Sequence, residues 1–260
     1  MHPAAAGEDI PLIEAPPSWL WPVLAAPFIG SFLGVLVARL PHGKAVVWDR
    51  SRCDDCGHPL GIADLVPLTS WVTSRRHCRY CGAKITPLYT GIELAALALA
   101  VWAATLTEGW ELWAGCCLGW GLLALAIIDW RDGLLPDAVT LPLLALGLAF
   151  AAIEGPPLLV PHTIGAAAGF ASFALIGWLY RWLRRRDGLG FGDVKLLAAA
   201  GAWVSWQGLP SVVLIAAVFS LGVALFGAVR GQAVKLDQRL AFGPGLCLGT
   251  WLVWLYGPLQ

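Results

Sequence analysis

Charge is scarce in this sequence. Only 13% of its 260 residues are Asp, Glu, Lys or Arg, 58% are hydrophobic, and the mean hydropathy is +0.70. A water-soluble domain of this size carries about 25% charged residues. One water-soluble core could not hide the surplus apolar side chains, so the composition excludes a soluble protein and points to an integral membrane one. Other absences narrow the reading. Residues 1–17 hold Glu8, Asp9 and Glu14 but no Lys or Arg, so they do not read as a secretory signal peptide and are expected to form a short non-cytoplasmic tail. There is no low-complexity tract, coiled-coil heptad or internal repeat. Acidic and basic residues balance at 17 each, which by itself says nothing about partners; no nucleic-acid partner is expected.

What is present is a succession of apolar segments, at 18–38, 90–107, 110–128, 138–153, 162–180, 194–207, 209–229 and 241–257. The expected fold is all-α, a polytopic membrane bundle of about eight transmembrane helices. A full crossing takes about 20 residues, so 138–153 and 194–207 are short and either borrow from their flanks or stop short of full depth. Orientation follows from charge. With 39–89 placed in the cytoplasm, eight crossings put all 17 Lys and Arg on that side, from Arg39 and Lys44 to Lys235 and Arg239. The opposite side receives Glu8, Asp9, Glu14, Glu108, Glu111 and Glu154. Retention of basic residues on the cytoplasmic face makes this the expected topology. Outer turns are expected at 105–111, 154–162 and 205–211, where Gly or Pro interrupts the apolar pattern. Tryptophans near the proposed interfaces, Trp19, Trp21, Trp110, Trp113, Trp203, Trp206, Trp251 and Trp254 on one side and Trp130 and Trp182 on the other, suggest an aromatic belt.

The loop 39–89 is the one soluble-looking module. Its four cysteines form two CxxC pairs, Cys53/Cys56 and Cys78/Cys81, separated by 21 residues. This spacing is close to that of a four-thiolate zinc site. Four protein ligands leave no open position, so the zinc is expected to be structural and to stabilise a loop too small for its own core. Gly57 and Gly82 follow the second cysteine of each pair, where a tight turn is needed. His58 and His77 lie beside cysteines and are expected to be surface residues. Cys116, Cys117 and Cys247 sit in apolar runs and read as small buried hydrophobes.

Two acids stand out against the apolar background. Asp129 ends the third segment, in AIIDWRDGLLPD, and Asp193 opens the sixth, in GLGFGDVK. The topology puts both at the cytoplasmic face on different helices. Carboxylates held a few ångströms apart cannot both ionise. The pair would share a proton, one acid polarising a scissile carbonyl while the other takes a proton from water. Bland readings compete: Asp193 could cap its helix, and Asp137 is expected to cap the fourth. Asp132 and Asp187 could be solvated loop residues, and spacing alone does not choose Asp129 over Asp132.

These residues belong to a longer pattern: GSFLGVLVARLP (30–41), the paired cysteines, VPLTSW (66–71), ITPLYTGIEL (85–94), AIIDWRDGLLPDAVTLPLL (126–144), GLGFGDVKLLAAAGAW (188–203) and AFGPGLCLGTWL (241–252). In this order they resemble the type IV prepilin peptidases, bacterial inner-membrane aspartic proteases of the GxGD type. The resemblance implies that Asp129 and Asp193 are the catalytic acids, supported by Gly190, Gly192 and Lys195. It implies zinc on Cys53, Cys56, Cys78 and Cys81. The substrates would be prepilins and pseudopilins, whose short basic leader is cut just before an apolar helix, commonly after a glycine, in pilus assembly and type II secretion. Many members also methylate the new amine with S-adenosylmethionine. The implied organisation is a tail (1–17), a first transmembrane helix (18–38), a zinc loop (39–89) and a helical peptidase domain (90–260). Three positions depart from the family pattern: Gly34 and Leu65 where Asn is usual, and Arg76 where Gly is common. All three lie in the first helix or its loop, away from both acids, so they bear on methylation rather than proteolysis. No glycine-rich strand-to-helix fingerprint of an ordinary methyltransferase is present. Other function classes, a proton-coupled transporter or a non-catalytic scaffold for the cysteine loop, predict respectively acids near mid-membrane and acids that can be dispensed with.

Overall fold

The computed structural model describes residues 17–46, 52–53, 55–59, 61, 67, 77–185, 190–230 and 242–259. Seven α-helices account for most of these: α1 (Leu20–Arg39), α2 (Pro87–Ala104), α3 (Gly109–Asp132), α4 (Asp137–Glu154), α5 (Pro156–Arg184), α6 (Phe191–Val229) and α7 (Gly243–Tyr256). Their ends fall where the chain chemistry demands. Pro87 and Pro156 open α2 and α5, positions where a missing N–H costs nothing. Gly133 closes α3 with φ 65°, a left-handed stop that a side chain resists.

The eight apolar segments coincide with these seven helices because α6 contains a break. Ser205 has φ 59° and ψ −179°, dividing α6 into two limbs. The side-chain neighbours show that the chain reverses there. Along α4, Asp137 meets Lys195 and Leu143 meets Trp203, so the first limb runs parallel to α4. Against α7, Val212 lies at Gly249 and Ala216 at Gly245, so the second limb runs antiparallel to α7. In turn α7 is antiparallel to α3, with Gly115 at Trp254, Gly119 at Trp251 and Asp129 at Gly243. The expected outer turn at 205–211 is therefore this break, and segment 194–207 lies mostly in the first limb.

Six helices are long and apolar enough to cross a membrane, which makes the chain a multi-pass membrane protein. The remaining one, α7, has 14 residues. Every described Lys and Arg lies at one end of the bundle, with the starts of α2, α4, α6 and α7. At the other end, Glu154 accepts a hydrogen bond from the Trp110 indole.

Without a hydrophobic drive between lipid-immersed helices, close contact rests on small residues. The α5–α6 seam is the clearest case: a Cβ on Gly169 would stand 2.5 Å from the Leu197 carbonyl oxygen, and one on Gly165 2.5 Å from that of Gly201. His162, buried near the break, hydrogen-bonds through Nδ1 with the Ala202 carbonyl, three residues before Ser205.

The aromatic belt holds only in part. Trp19, Trp21, Trp110, Trp113, Trp130, Trp182 and Trp206 are exposed, but Trp203 and Trp251 are buried core residues. Phe150, Trp203 and Trp254 pack together with centroids 5.1–6.0 Å apart, and the Trp203 indole donates to the Leu143 carbonyl. These rings fill the space between α4, α6 and α7 instead of facing headgroups. Cys116 and Cys247 are buried as expected, whereas Cys117 lies on the exposed face of α3.

Candidate active site and metal centre

Asp193 occupies the third position of α6, whose N-cap is Gly190. Its own amide bonds the Gly190 carbonyl at 3.1 Å, and its Oδ2 lies back over the N-cap, 3.1 Å from where a Cβ on Gly190 would stand. An acid at this third helical position sits where the positive end of the helix favours it, although the N-cap itself is Gly190. Gly192 makes room for the α3–α4 connection, since a Cβ there would stand 2.9 Å from Leu135 Cβ.

Asp129 lies in the last turn of α3 and is 8% exposed. It faces the start of α7, where Gly243 lies against its carboxylate, while its Oδ2 has no hydrogen-bond partner. The charge of Asp129 reaches Asp193, and the charges of both reach Cys247, one turn into α7. Three helix ends therefore converge here, the end of α3 and the starts of α6 and α7. The arrangement brings two carboxylates from distant parts of the chain to one partly dry site with an unpartnered oxygen.

Lys195, two residues past Asp193, pairs with Asp137 at the start of α4. Its ammonium is 2.6 and 2.7 Å from the two Asp137 oxygens and 4.9 Å from the Phe191 ring centroid. This corrects the expectation for Asp137: the N-cap of α4 is Pro136, and the Asp137 carboxylate ties α4 to α6 instead of capping its own helix. Asp132 is also not a solvated loop residue. It is the last residue of α3, half-buried, with Oδ2 shielded and unpartnered. Asp187 lies outside the described residues, as do Leu65 and Arg76. At Gly34 a Cβ would stand 2.7 Å from Tyr89 Cδ1, so the Tyr89 ring fills the space where a side chain would be. Sequence reasoning missed Gly243 and Cys247. The signal that could have found them was their place in AFGPGLCLGTWL (241–252), one of the runs that carry the family resemblance.

The four loop cysteines come together: the Sγ atoms of Cys53, Cys56, Cys78 and Cys81 all lie within 4.8 Å of one another. The Cys53–Cys81 separation is 3.8 Å, close to the roughly 3.8 Å edge of a tetrahedron with metal–sulfur bonds of about 2.3 Å. Two matching turns build it. Gly57 N–H bonds the Cys53 carbonyl and Gly82 N–H the Cys78 carbonyl, each at 2.9 Å, with φ of 69° and 73°. The amides of Tyr80 and then Cys81 hold the Cys78 thiol down to about 7, toward the thiolate form that binds metals. Such a cluster could hold a metal ion. His58 and His77 are exposed, and His58 stacks on Tyr80 with centroids 3.6 Å apart.

The profile of the type IV leader peptidase family matches residues 116–225, and that of the bacterial peptidase A24 N-terminal domain matches residues 24–107. The prepilin leader peptidase/N-methyltransferase of Burkholderia pseudomallei strain 1026b is 38% identical over 279 residues, covering 95% of this chain and 89% of that protein. Proteins of the same name from Aeromonas salmonicida strain A449 and Dickeya chrysanthemi are each 37% identical. They cover 88% and 90% of this chain, and the match spans 87% and 91% of their own lengths. No solved structure matches. Relatives this similar over nearly the full length establish that the chain belongs to the type IV leader peptidase family.

Proposed function

We propose that this protein is a membrane aspartic endopeptidase that removes the basic leader of prepilins and pseudopilins, with Asp129 and Asp193 as its reacting acids. The observation that carries the reading is the meeting of these two carboxylates, from α3 and α6, in one partly dry site. Water attacks the scissile carbonyl carbon. The ionised acid takes a proton from that water, and the protonated acid gives its proton to the carbonyl oxygen. Collapse of the tetrahedral intermediate breaks the C–N bond: the departing amine takes up the proton held by the base, and one hydroxyl of the intermediate returns its proton to the other acid as the carbonyl reforms. The acids then again share one proton. Both acids lie at one end of the bundle, which suits a substrate whose apolar helix is in the bilayer and whose leader is outside it. It does not suit a transporter with a coupling site at mid-membrane.

The concentration of Lys and Arg at that same end supports a cytoplasmic active site in a bacterial inner membrane, with eight crossings. Zinc is the metal we assign to the four cysteines, where it would cross-link the two turns of the loop without entering the chemistry. Methylation of the new amine with S-adenosylmethionine follows from the relatives' name, and no residue is assigned to it.

The test is a cleavage assay in lipid nanodiscs on a full-length prepilin, read by mass spectrometry of the mature product. Asp129→Asn and Asp193→Asn should each remain folded and abolish leader removal. Either variant cleaving at the parental rate refutes the assignment. The same spectra report methylation as a one-methyl increment at the new terminus.

A further inference from the structure

The glycine-rich start of α7 has no part in the two-acid reading, yet it reaches that site. Gly243 is the first residue of α7, so its N–H has no acceptor within the helix. Pro244, next, has no N–H to offer. The Gly243 amide lies beside the carboxylate of Asp129 and acts on it electrostatically. A Cβ on Gly243 would stand 2.6 Å from Asp129 Oδ2 and 2.9 Å from Cγ. That Oδ2 is buried without a partner.

The other half of the site repeats the pattern. The Gly190 amide, at the start of α6, acts on Asp193 in the same way, and a Cβ on it would stand 3.1 Å from Asp193 Oδ2. The remaining close glycines of α7 behave differently. A Cβ on Gly245 would meet the Ala216 carbonyl oxygen at 2.8 Å, and one on Gly249 that of Val212 at 2.6 Å. Those two space helix from helix, and Gly243 spaces a helix from a carboxylate.

We propose that Gly243 is a positioning residue of the peptidase, the counterpart for Asp129 of what Gly190 is for Asp193. The inference rests on the reading that Asp129 is one of the reacting acids. A bare amide at a positive helix end favours an anion beside it, and the missing side chain leaves no methyl against Oδ2, whose hydrogen-bonding capacity stays unspent for the attacking water. The start of α7 thereby joins α3 and α6 as a third element of the active centre, from a part of the chain that carries neither acid.

The experiment compares Gly243→Ala with Gly245→Ala in nanodiscs, measuring kcat, KM and Tm on a full-length prepilin. An ångström of misplacement at a reacting group costs up to about 100-fold, so Gly243→Ala should lower kcat by about 10–100-fold with KM changed less than about threefold. Gly245→Ala should lower Tm more and kcat less. Parental kcat in Gly243→Ala overturns the proposal, as does a kcat loss no greater than that of Gly245→Ala. A second measurement needs no activity: the Tm penalty of Gly243→Ala should disappear in an Asp129→Ala background, where no carboxylate opposes the methyl. Equal penalties in both backgrounds overturn the proposal. If Asp129→Asn and Asp193→Asn still cleave, the two-acid reading itself fails. If they do not cleave and Gly243→Ala does so normally, only the role of Gly243 fails.

Discussion

Substituting Gly169 by Ala tests whether helix packing sets the position of Asp193. Gly169 is on α5, carries no chemistry and faces the first limb of α6. An added Cβ would stand 2.5 Å from the Leu197 carbonyl oxygen and 2.9 Å from its carbon. Tolerable contact of carbon with carbonyl oxygen begins near about 3.2 Å, so the seam must open by roughly 0.7 Å. Leu197 is one turn from Asp193, about 6 Å along the helix, too short a span to absorb such a shift. Overpacking of this kind costs about 1–3 kcal/mol. Delivered so close to a reacting acid, it should also lower kcat by about 10–100-fold. The assay pairs thermal unfolding in nanodiscs with single-turnover prepilin cleavage. Gly222→Ala serves as the control, because a Cβ there meets nothing within 4 Å. Its Tm and kcat should match the parent's. Gly169→Ala with parental Tm and parental kcat would refute the claim that this seam is packed to contact and fixes Asp193.

Two further perturbations separate supporting from reacting groups. Replacing Cys53 or Cys78 by Ser should reduce bound metal from about one ion per chain to near zero by elemental analysis, and should raise protease sensitivity at 39–89 before any loss of helix content; metal retained at parental stoichiometry would refute the four-thiolate site. Breaking the Lys195–Asp137 pair by Lys195→Met or Asp137→Asn should cost about 1 kcal/mol at most, since the two side chains are 23% and 53% exposed. Cleavage should fall less than about tenfold, and a total loss would assign Lys195 to the chemistry.

Much of the fold could be read from hydropathy because lipid imposes length and composition on every crossing. The eight apolar segments, their Gly and Pro boundaries and the reversal near Ser205 all leave marks on the chain itself. The cysteine cluster was legible for a similar reason: CxxC spacing encodes a turn, and Gly57 and Gly82 encode its hand. Tryptophan position was less informative. Trp203 and Trp251 sit at sequence positions that suit an interface, but whether an indole faces lipid or protein depends on which helix is its neighbour, and α7 supplies that neighbour from far along the chain.

The site shows the same limit more sharply. Asp129 and Asp193 could be singled out because an acid in an apolar segment is conspicuous. Asp137 was misread because capping is a local inference, and its partner Lys195 lies 58 residues away. Gly243 stood inside the family-like run AFGPGLCLGTWL, but nothing local said which atom it would face. A glycine in an apolar run looks the same whether it faces lipid, as Gly222 does, a backbone carbonyl, as Gly245 does, or a carboxylate. What distinguishes these cases is the atom opposite, and that atom is set by the antiparallel register of α7 against α3 and against the second limb of α6. That register is fixed by Gly115, Gly119, Gly245 and Gly249, whose contacts are ordinary helix packing. The seams that hold the bundle together therefore also decide which glycine meets Asp129, so a change that slid α7 by one turn would remove the amide from Asp129 without touching either acid.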